Sequence, residues 1–249
     1  MIDNSNIIKI FEMHHRYNKY IYEDPCYYTI QLNAEKNSDK DFGYTYKDNT
    51  GDNISLKNLT YVDLTGVYWI WKNVNDCKYK GNVHYDRFFV SQDGKILPSC
   101  DILSFLKDYD VIVCDFARLE GRTVYQIYND FHGHENMDTC REVVRDIYPE
   151  YLQMFDDVIV NGEYSSLYNM MIGKTEVYNE YCNWLFTVLF ELEDRLKKLD
   201  RLNFTEDDYQ RKVFGFTGER LMLVWLKYNN INYKQVPVDH FDENLHKDG

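Results

Sequence analysis

The residues best suited to chemistry stand together at His84-Tyr85-Asp86-Arg87. They follow an extended run over residues 79–83. If that strand continues to Asp86, its period of two puts His84 and Asp86 on one face, with Tyr85 and Arg87 on the other. An imidazole beside a carboxylate can hold a divalent cation, although one carboxylate binds Mg2+ or Mn2+ only weakly. The same pair can equally be a structural hydrogen bond. Arg87 offers phosphate a bidentate contact. A second group, His14-His15-Arg16, closes an apolar run over residues 7–13. Neighbours on an extended chain point to opposite sides, so at most one of the two histidines faces a ligand, and an exposed polar loop is the other reading. A third group, Asp48-Asn49-Thr50-Gly51-Asp52-Asn53, is dense in acceptors and amides. Its acid spacing does not match a helix-loop-helix calcium site, and bonding of its own backbone is the alternative.

Elements able to position these groups can be read from periodicity. Residues 7–13, 27–32, 79–83, 110–114 and 167–172 read as strands, with Gly173 ending the last, and 231–238 as a closing strand. Residues 33–53 read as one long polar loop, a length that in a compact domain tends to be functional or mobile. Residues 59–73 read as a helix with Leu64, Val67, Tyr68 and Trp71 on one face. Ser99 caps a helix through Lys107, Asp138 caps one through Tyr148, and Pro149 begins another to about Val160. The longest periodic segment spans residues 175–199, and a further helix spans 213–228. Residues 115–136 follow no clear period. Strands alternating with helices, then extra helices, indicate an α/β core. With no repeat and no linker, a single domain over residues 1–249 is expected.

Composition removes several function classes. A formal net charge of -13 argues against non-specific nucleic-acid binding and against binding to anionic membranes, both of which need a basic face. No apolar run approaches the length of a membrane span. The N-terminal residues lack a secretory pattern, so a cytoplasmic location is expected. The six cysteines contain no C-x-x-C pair, which fits reduced thiols. The 23 tyrosines suit half-buried surfaces and clefts that stack on sugars or bases.

Six segments in order, IKIFEMHH, DNTGDNISLKNLTYVDLTGVYWIWKN, YKGNVHYDRFF, YPEYLQMFD, NMMIGKTEVYNEYCNWLF and VFGFTGERLMLVWL, cover most of the chain. Together they resemble a bacterial family of capsular and exopolysaccharide glycosyltransferases long known only as a domain of unknown function. Its pattern is GDNIS-x-KN, then ELT-x-x-YW-x-WKN, then HYRRYF. The resemblance implies a GT-A-like fold: a Rossmann-type nucleotide-binding sheet with additional C-terminal helices. The donor half would span about 1–115 and the acceptor half about 116–249.

By the same resemblance, His15, Asp52, Asn53, Lys57, Asn58, Asp63, His84 and Arg220 are expected on the donor side. Asp63 replaces the usual glutamate. His84, Tyr85 and Arg87 match HYRRYF, whereas Asp86 stands where the family has arginine. That departure leaves open a tentative metal pair of His84 and Asp86 for Mn2+ or Mg2+. In the GF-x-x-ER run, Glu219 is the candidate general base. Asp86 and Arg87 complete the expected catalytic set, and His132, His134 and Asn169 the acceptor side. The implied activity is transfer of a hexose, with galactose as pyranose or furanose the first choice, from a UDP-sugar to a surface-polysaccharide precursor. The acceptor would be a glycan or lipid-linked oligosaccharide, met by transient contact at the inner membrane face. The alternative is a non-catalytic nucleotide- or glycan-binding protein on the same fold.

Overall fold

Alternation along β1 (Ile8–His14) sets the two faces of the central sheet. Ile8 and Ile10 enter one apolar cluster, while Phe11 and Met13 enter the other. The structure is a computed structural model, and it describes residues 6–241. The sheet continues through β2 (Tyr27–Gln31), β3 (Tyr46–Lys47), β4 (Tyr79–His84), β5 (Arg87–Phe89) and β6 (Val111–Cys114). A separate ribbon pairs β7 (Ala117–Arg118) with β8 (Tyr164–Ser165). β9 (Met171–Lys174), β10 (Tyr233–Val236) and β11 (Val238–His240) rejoin the main sheet.

The strand order is β10-β6-β9-β4-β1-β2-β3, with β5 and β11 attached at the end of β4. β1, β2, β3 and β4 run parallel, as do β6 and β10. β9 alone runs antiparallel between β4 and β6. The carboxyl ends of β1, β4 and β6 therefore share one edge, the edge where open α/β sheets bind ligands. This mixed α/β architecture is the expected class.

Helices α1 (Asn58–Tyr61), α2 (Leu64–Asn73), α4 (Val124–His132), α5 (Glu135–Ile147), α6 (Leu152–Phe155), α7 (Thr175–Lys198) and α8 (Val213–Tyr228) build the thicker layer, on the Phe11 face. α3 (Ser99–Phe105) covers the Ile8 face. Several expectations shift. The helix expected over 59–73 is broken after Tyr61, where Val62 takes φ +51°. Gly173 lies inside β9 rather than ending a strand, because a Cβ there would meet Val111 Cγ1 at 2.4 Å. Residues 167–170 are not strand, since Tyr168 and Asn169 hold φ of +70° and +48°. The unperiodic stretch contains α4, opened by a capping box between Thr123 and Gln126. α5 starts at Glu135, ahead of Asp138, which instead accepts from Tyr125 and His134 within the first turn. The polar loop 33–53 contains β3, and Pro237 separates β10 from β11.

Lys80 on β4 shows how helix and sheet are tied. Its side chain is fully buried. Its Nζ donates to the Val74 carbonyl at 2.6 Å and reaches the Ile70 carbonyl at 3.3 Å, at the C-terminal end of α2. The Ile70 carbonyl also accepts the Val74 N–H at 3.1 Å, whereas the Val74 carbonyl lies past the last turn, and a cation suits the negative end of the helix dipole. Burial lowers the Lys80 pKa from 10.5 to about 8. Between those values the unfolded chain holds a proton that the folded chain releases, so the contribution of this group to stability rises with pH. Lys80→Met is expected to cost about 1–3 kcal/mol at pH 7 in urea unfolding. The deficit against wild type should widen from pH 8 towards 10, and a constant deficit would refute the lowered pKa.

Candidate active site

A cleft of about 390 Å³ opens where β1 and β4 end. Met13, His15 and His84 line it from the strands, Asn58, Val62 and Asp63 from the α1–α2 junction, and Tyr168, Gly215 and Glu219 from the far wall. The broken helix supplies the near wall. A β-branched residue at φ +51° is strained, and such outliers cluster at functional sites. Two hydrogen bonds hold the turn: the Val62 carbonyl accepts from Asn58 Nδ2 at 2.7 Å and from Thr65 Oγ1 at 3.1 Å. The turn sets Asp63 Oδ2 at 3.7 Å from His84 Nε2. That oxygen is buried and has no hydrogen-bond partner. His84 Nε2 donates to the Tyr168 carbonyl at 2.7 Å.

The far wall is a second strained turn. Tyr168 N–H donates to Glu219 Oε1 at 3.2 Å, while Asn169 Nδ2 donates to the Gly215 carbonyl at 3.1 Å. Asn82 on β4 holds the Asn169 carbonyl from below at 2.9 Å. Two glycines one turn apart let α8 approach. A Cβ at Gly215 would lie 3.3 Å from Val62, and one at Gly218 would lie 3.0 Å from Leu64 and 3.1 Å from the Asn169 side chain. α8 thus carries Glu219 into the cleft.

Glu219 pairs with Arg220 and keeps about a fifth of its side chain (21%) open to solvent. Protein surrounds it densely, and burial raises its pKa, with Arg220 opposing and Asp63 adding to the rise. The position suits a group that must gain a proton near neutral pH.

His15 sits on the rim, its ring edge-on to Tyr85 at 4.9 Å, while His14 is fully buried beside Glu12. Crowding by the wall, then Arg16, lowers the His15 pKa to about 4, with Asp86 opposing. Its ring is also open to water, which limits the size of the effect. The cations around it, Arg16 and Lys212 among them, hold the imidazole towards its neutral state.

His84 and Asp86 do not form the expected pair. β4 stops at His84, residues 85–86 form the turn into β5, and the alternation ends there. Asp86 instead accepts from Arg87 Nη1 at 2.9 Å and pairs with His240 Nε2 at 3.1 Å. Arg87 and Asp86 both line the cleft, and the guanidinium lies 5.2 Å from the Tyr168 ring centroid. Among the described residues no group of three or more His, Cys, Asp and Glu side chains is arranged to hold a metal ion. As placed, His84 and Asp86 do not fit a shared cation.

Other expected site residues lie elsewhere. Asp52 accepts from Tyr68 at 3.0 Å, Asn53 Oδ1 accepts from the Ser55 backbone at 3.2 Å, and Lys57 donates to both oxygens of Glu193 on α7. None of the three lines the cleft. His132 stacks on Phe216 with centroids 4.0 Å apart, and the exposed His134 pairs with Asp138. Asn169 is buried behind the wall, and Arg220 faces the Tyr128 ring. Residues that the sequence reading passed over include Tyr168, Gly215, Tyr209, Phe216 and Lys212, all in the lining. The GF-x-x-ER run was the available pointer to Gly215 and Phe216. Asp48, the first residue of the acceptor-rich group 48–53, serves the framework and does not line the cleft. It is fully buried and accepts from the Asn33 and Ala34 amides, Ser55 Oγ and Thr65 Oγ1.

The fold is shared with a solved structure of another protein. A solved apo structure of WbbM, described as a bifunctional glycosyltransferase, superposes with a TM-score of 0.83 at 22% identity. The match covers 96% of this chain and 46% of that one, so the chain spans about half the length of that protein. The chain belongs to the family described as a domain of unknown function (DUF4422), whose pattern matches residues 9–230. No curated protein matches it in sequence.

Removing the Asp48 carboxylate strands two buried amides. Asp48→Ala should cost at least about 3 kcal/mol in denaturant unfolding, because breaking a buried hydrogen-bond network is among the severe mechanisms. A loss under about 1 kcal/mol would show that the near wall does not depend on it.

Proposed function

We propose that this chain is a nucleotide-sugar-dependent glycosyltransferase of GT-A type, and that the cleft between Asp63, His84 and Glu219 is where transfer occurs. The observation that carries this reading is the Glu219 carboxylate. It is presented by a glycine-faced helix, at the carboxyl edge of a sheet whose fold is shared with a glycosyltransferase. The donor is a UDP-hexose, with galactose the first candidate, and the acceptor is a hydroxyl of a surface-glycan precursor. The donor half lies within about residues 1–115 and the acceptor half beyond. Among the described residues no helix is long and apolar enough to cross a membrane. Contact with a lipid-linked acceptor at the inner membrane face would then be peripheral.

In the proposed step Glu219 takes the proton of the acceptor hydroxyl as its oxygen attacks the anomeric carbon. The bond from that carbon to the diphosphate oxygen breaks, and its electron pair leaves with the nucleoside diphosphate. Cations of the cleft, Arg87 among them, stabilise the departing charge. His84 is a positioning residue: through the Tyr168 carbonyl it fixes the turn whose N–H holds Glu219. No part of this step is routed through Mn2+ or Mg2+.

Glu219→Gln is expected to lower kcat at least about 100-fold, the usual scale for a lost general base, with donor affinity little changed. The wild-type rate should fall on the acid side with an inflection above the ordinary glutamate value of 4.5, because the base works only when ionised. Turnover of a nucleotide-sugar panel, with and without Mn2+, is the measurement. A Gln variant as fast as wild type would sink the assignment of Glu219. Absence of turnover and of binding for every nucleotide sugar would sink the transferase reading.

A further inference from the structure

Beside the cleft lies a second lobe of about 600 Å³, which shares His15, Asn58, Val62 and Lys212 with it. Its charge runs against the rest of the molecule. The chain carries a formal net charge of -13, yet Lys36, Arg211 and Lys212 line this lobe with Glu206 as the one carboxylate. Lys36 pairs with Glu206. Among the described residues neither Arg211 nor Lys212 has an ion-pair partner. Arg211 Nη1 donates to the Asp208 carbonyl at 3.1 Å, while its Nε is buried with no acceptor. Lys212 Nζ lies 5.0 Å from the centroid of the Tyr209 ring.

The buried Arg211 Nε has no acceptor, and the guanidinium it belongs to lines the lobe, so an anion bound there would meet a cation with unfilled donor capacity. Two adjacent cations on one short helical turn, Tyr209–Lys212, fit an anion with several oxygens rather than a single carboxylate. The turn runs directly into α8, the helix that carries Glu219, so a ligand held here and a group at Glu219 share one rigid element. Leu56 and Leu59 add apolar surface to the lining of the lobe. His15, where the lobes meet, is held towards the neutral state, and Lys212 is among the cations that do so.

We infer that Arg211 and Lys212 form the seat of a diphosphate whose attached group rests on the Leu56–Leu59 side of the lobe. This rests on the transferase reading for its biological meaning, but the binding chemistry stands apart from it. Two molecules of such a reaction could bring a diphosphate: the nucleotide donor and a lipid-diphosphate acceptor.

Calorimetry with UDP, uridine, inorganic pyrophosphate and farnesyl diphosphate tests the seat on the full chain. Wild type should bind UDP and pyrophosphate, and uridine much more weakly. Arg211→Gln combined with Lys212→Gln should weaken both diphosphates about 100-fold, the scale of two lost charge-assisted hydrogen bonds. Its melting temperature should stay near that of wild type. If the double variant melts early, Lys212→Gln alone serves, since that amine has no ion-pair partner among the described residues and lies 5.0 Å from the centroid of the Tyr209 ring, and about a tenfold loss is expected. Preference for UDP over farnesyl diphosphate assigns the seat to the donor, and the reverse preference assigns it to the acceptor. UDP bound equally by wild type and variants overturns the seat while leaving the transferase reading intact. Diphosphate binding that the variants lose, without turnover of any nucleotide sugar, upholds the seat and sinks the transferase reading. No diphosphate binding by wild type overturns the seat.

Discussion

A single buried carboxylate holds the near wall of the cleft in place. Asp48 has no exposed surface and lies just past β3. A carboxylate so placed is tolerable only if its lone pairs are filled, and here four donors fill them. They come from the end of β2, from Ser55 and from the first turn of α2. Three segments distant in sequence are thereby fixed to one point. Thr65, one of the donors, also bonds the Val62 carbonyl, so the strained turn that aims Asp63 at His84 hangs on the same network. A second carboxylate, Glu193 on α7, does the equivalent work for the next segment, accepting from Lys57, Tyr61 and Lys197. Together the two tie the polar loop and the aromatic helix to the sheet and to the helical layer.

The cleft itself is made by two left-handed turns facing each other across α8. Val62 supplies one and Tyr168-Asn169 the other; the Val62 and Tyr168 side chains disfavour positive φ, while asparagine tolerates it. Their strain is offset by the hydrogen bonds already described, and by the close approach that Gly215 and Gly218 allow. The geometry also explains how so acidic a protein can attract an anionic ligand. Two acidic groups of the cleft are paired locally, Asp86 with Arg87 and Glu219 with Arg220, while among the described residues neither Arg211 nor Lys212 has an ion-pair partner. Net charge describes the whole surface, and a cleft can carry the opposite sign.

Much of the scaffold was legible in the sequence. β1 and β6 follow apolar runs, β2 and β4 fall where strands were expected, and α7 and α8 follow a helical period that packing preserves. What stayed hidden depends on tertiary contacts. Gly173 reads as a strand breaker, yet β9 is squeezed against β6 and only glycine fits. The break at Val62 has no glycine or proline to announce it: the Asn58 and Thr65 side chains hold it, and Thr65 is in turn tied to Asp48 across the fold. At the candidate site, His15, Asn58, Asp63, His84, Asp86, Arg87 and Glu219 meet in one cleft, whereas Asp52, Asn53 and Lys57 serve the framework. Spacing alone could not separate these groups: a polar residue that ties loops together and one that faces a ligand look alike in sequence. The expected His84–Asp86 pairing rested on a strand two residues longer than β4.

The most direct test of the account is a crystal structure of the protein with UDP bound. The diphosphate is expected beside Arg211 and Lys212, with its terminal phosphate directed towards the cleft between His84 and Glu219. Nucleotide density in the separate groove between α3 and β10, or no density in a crystal soaked at saturating UDP, would contradict it.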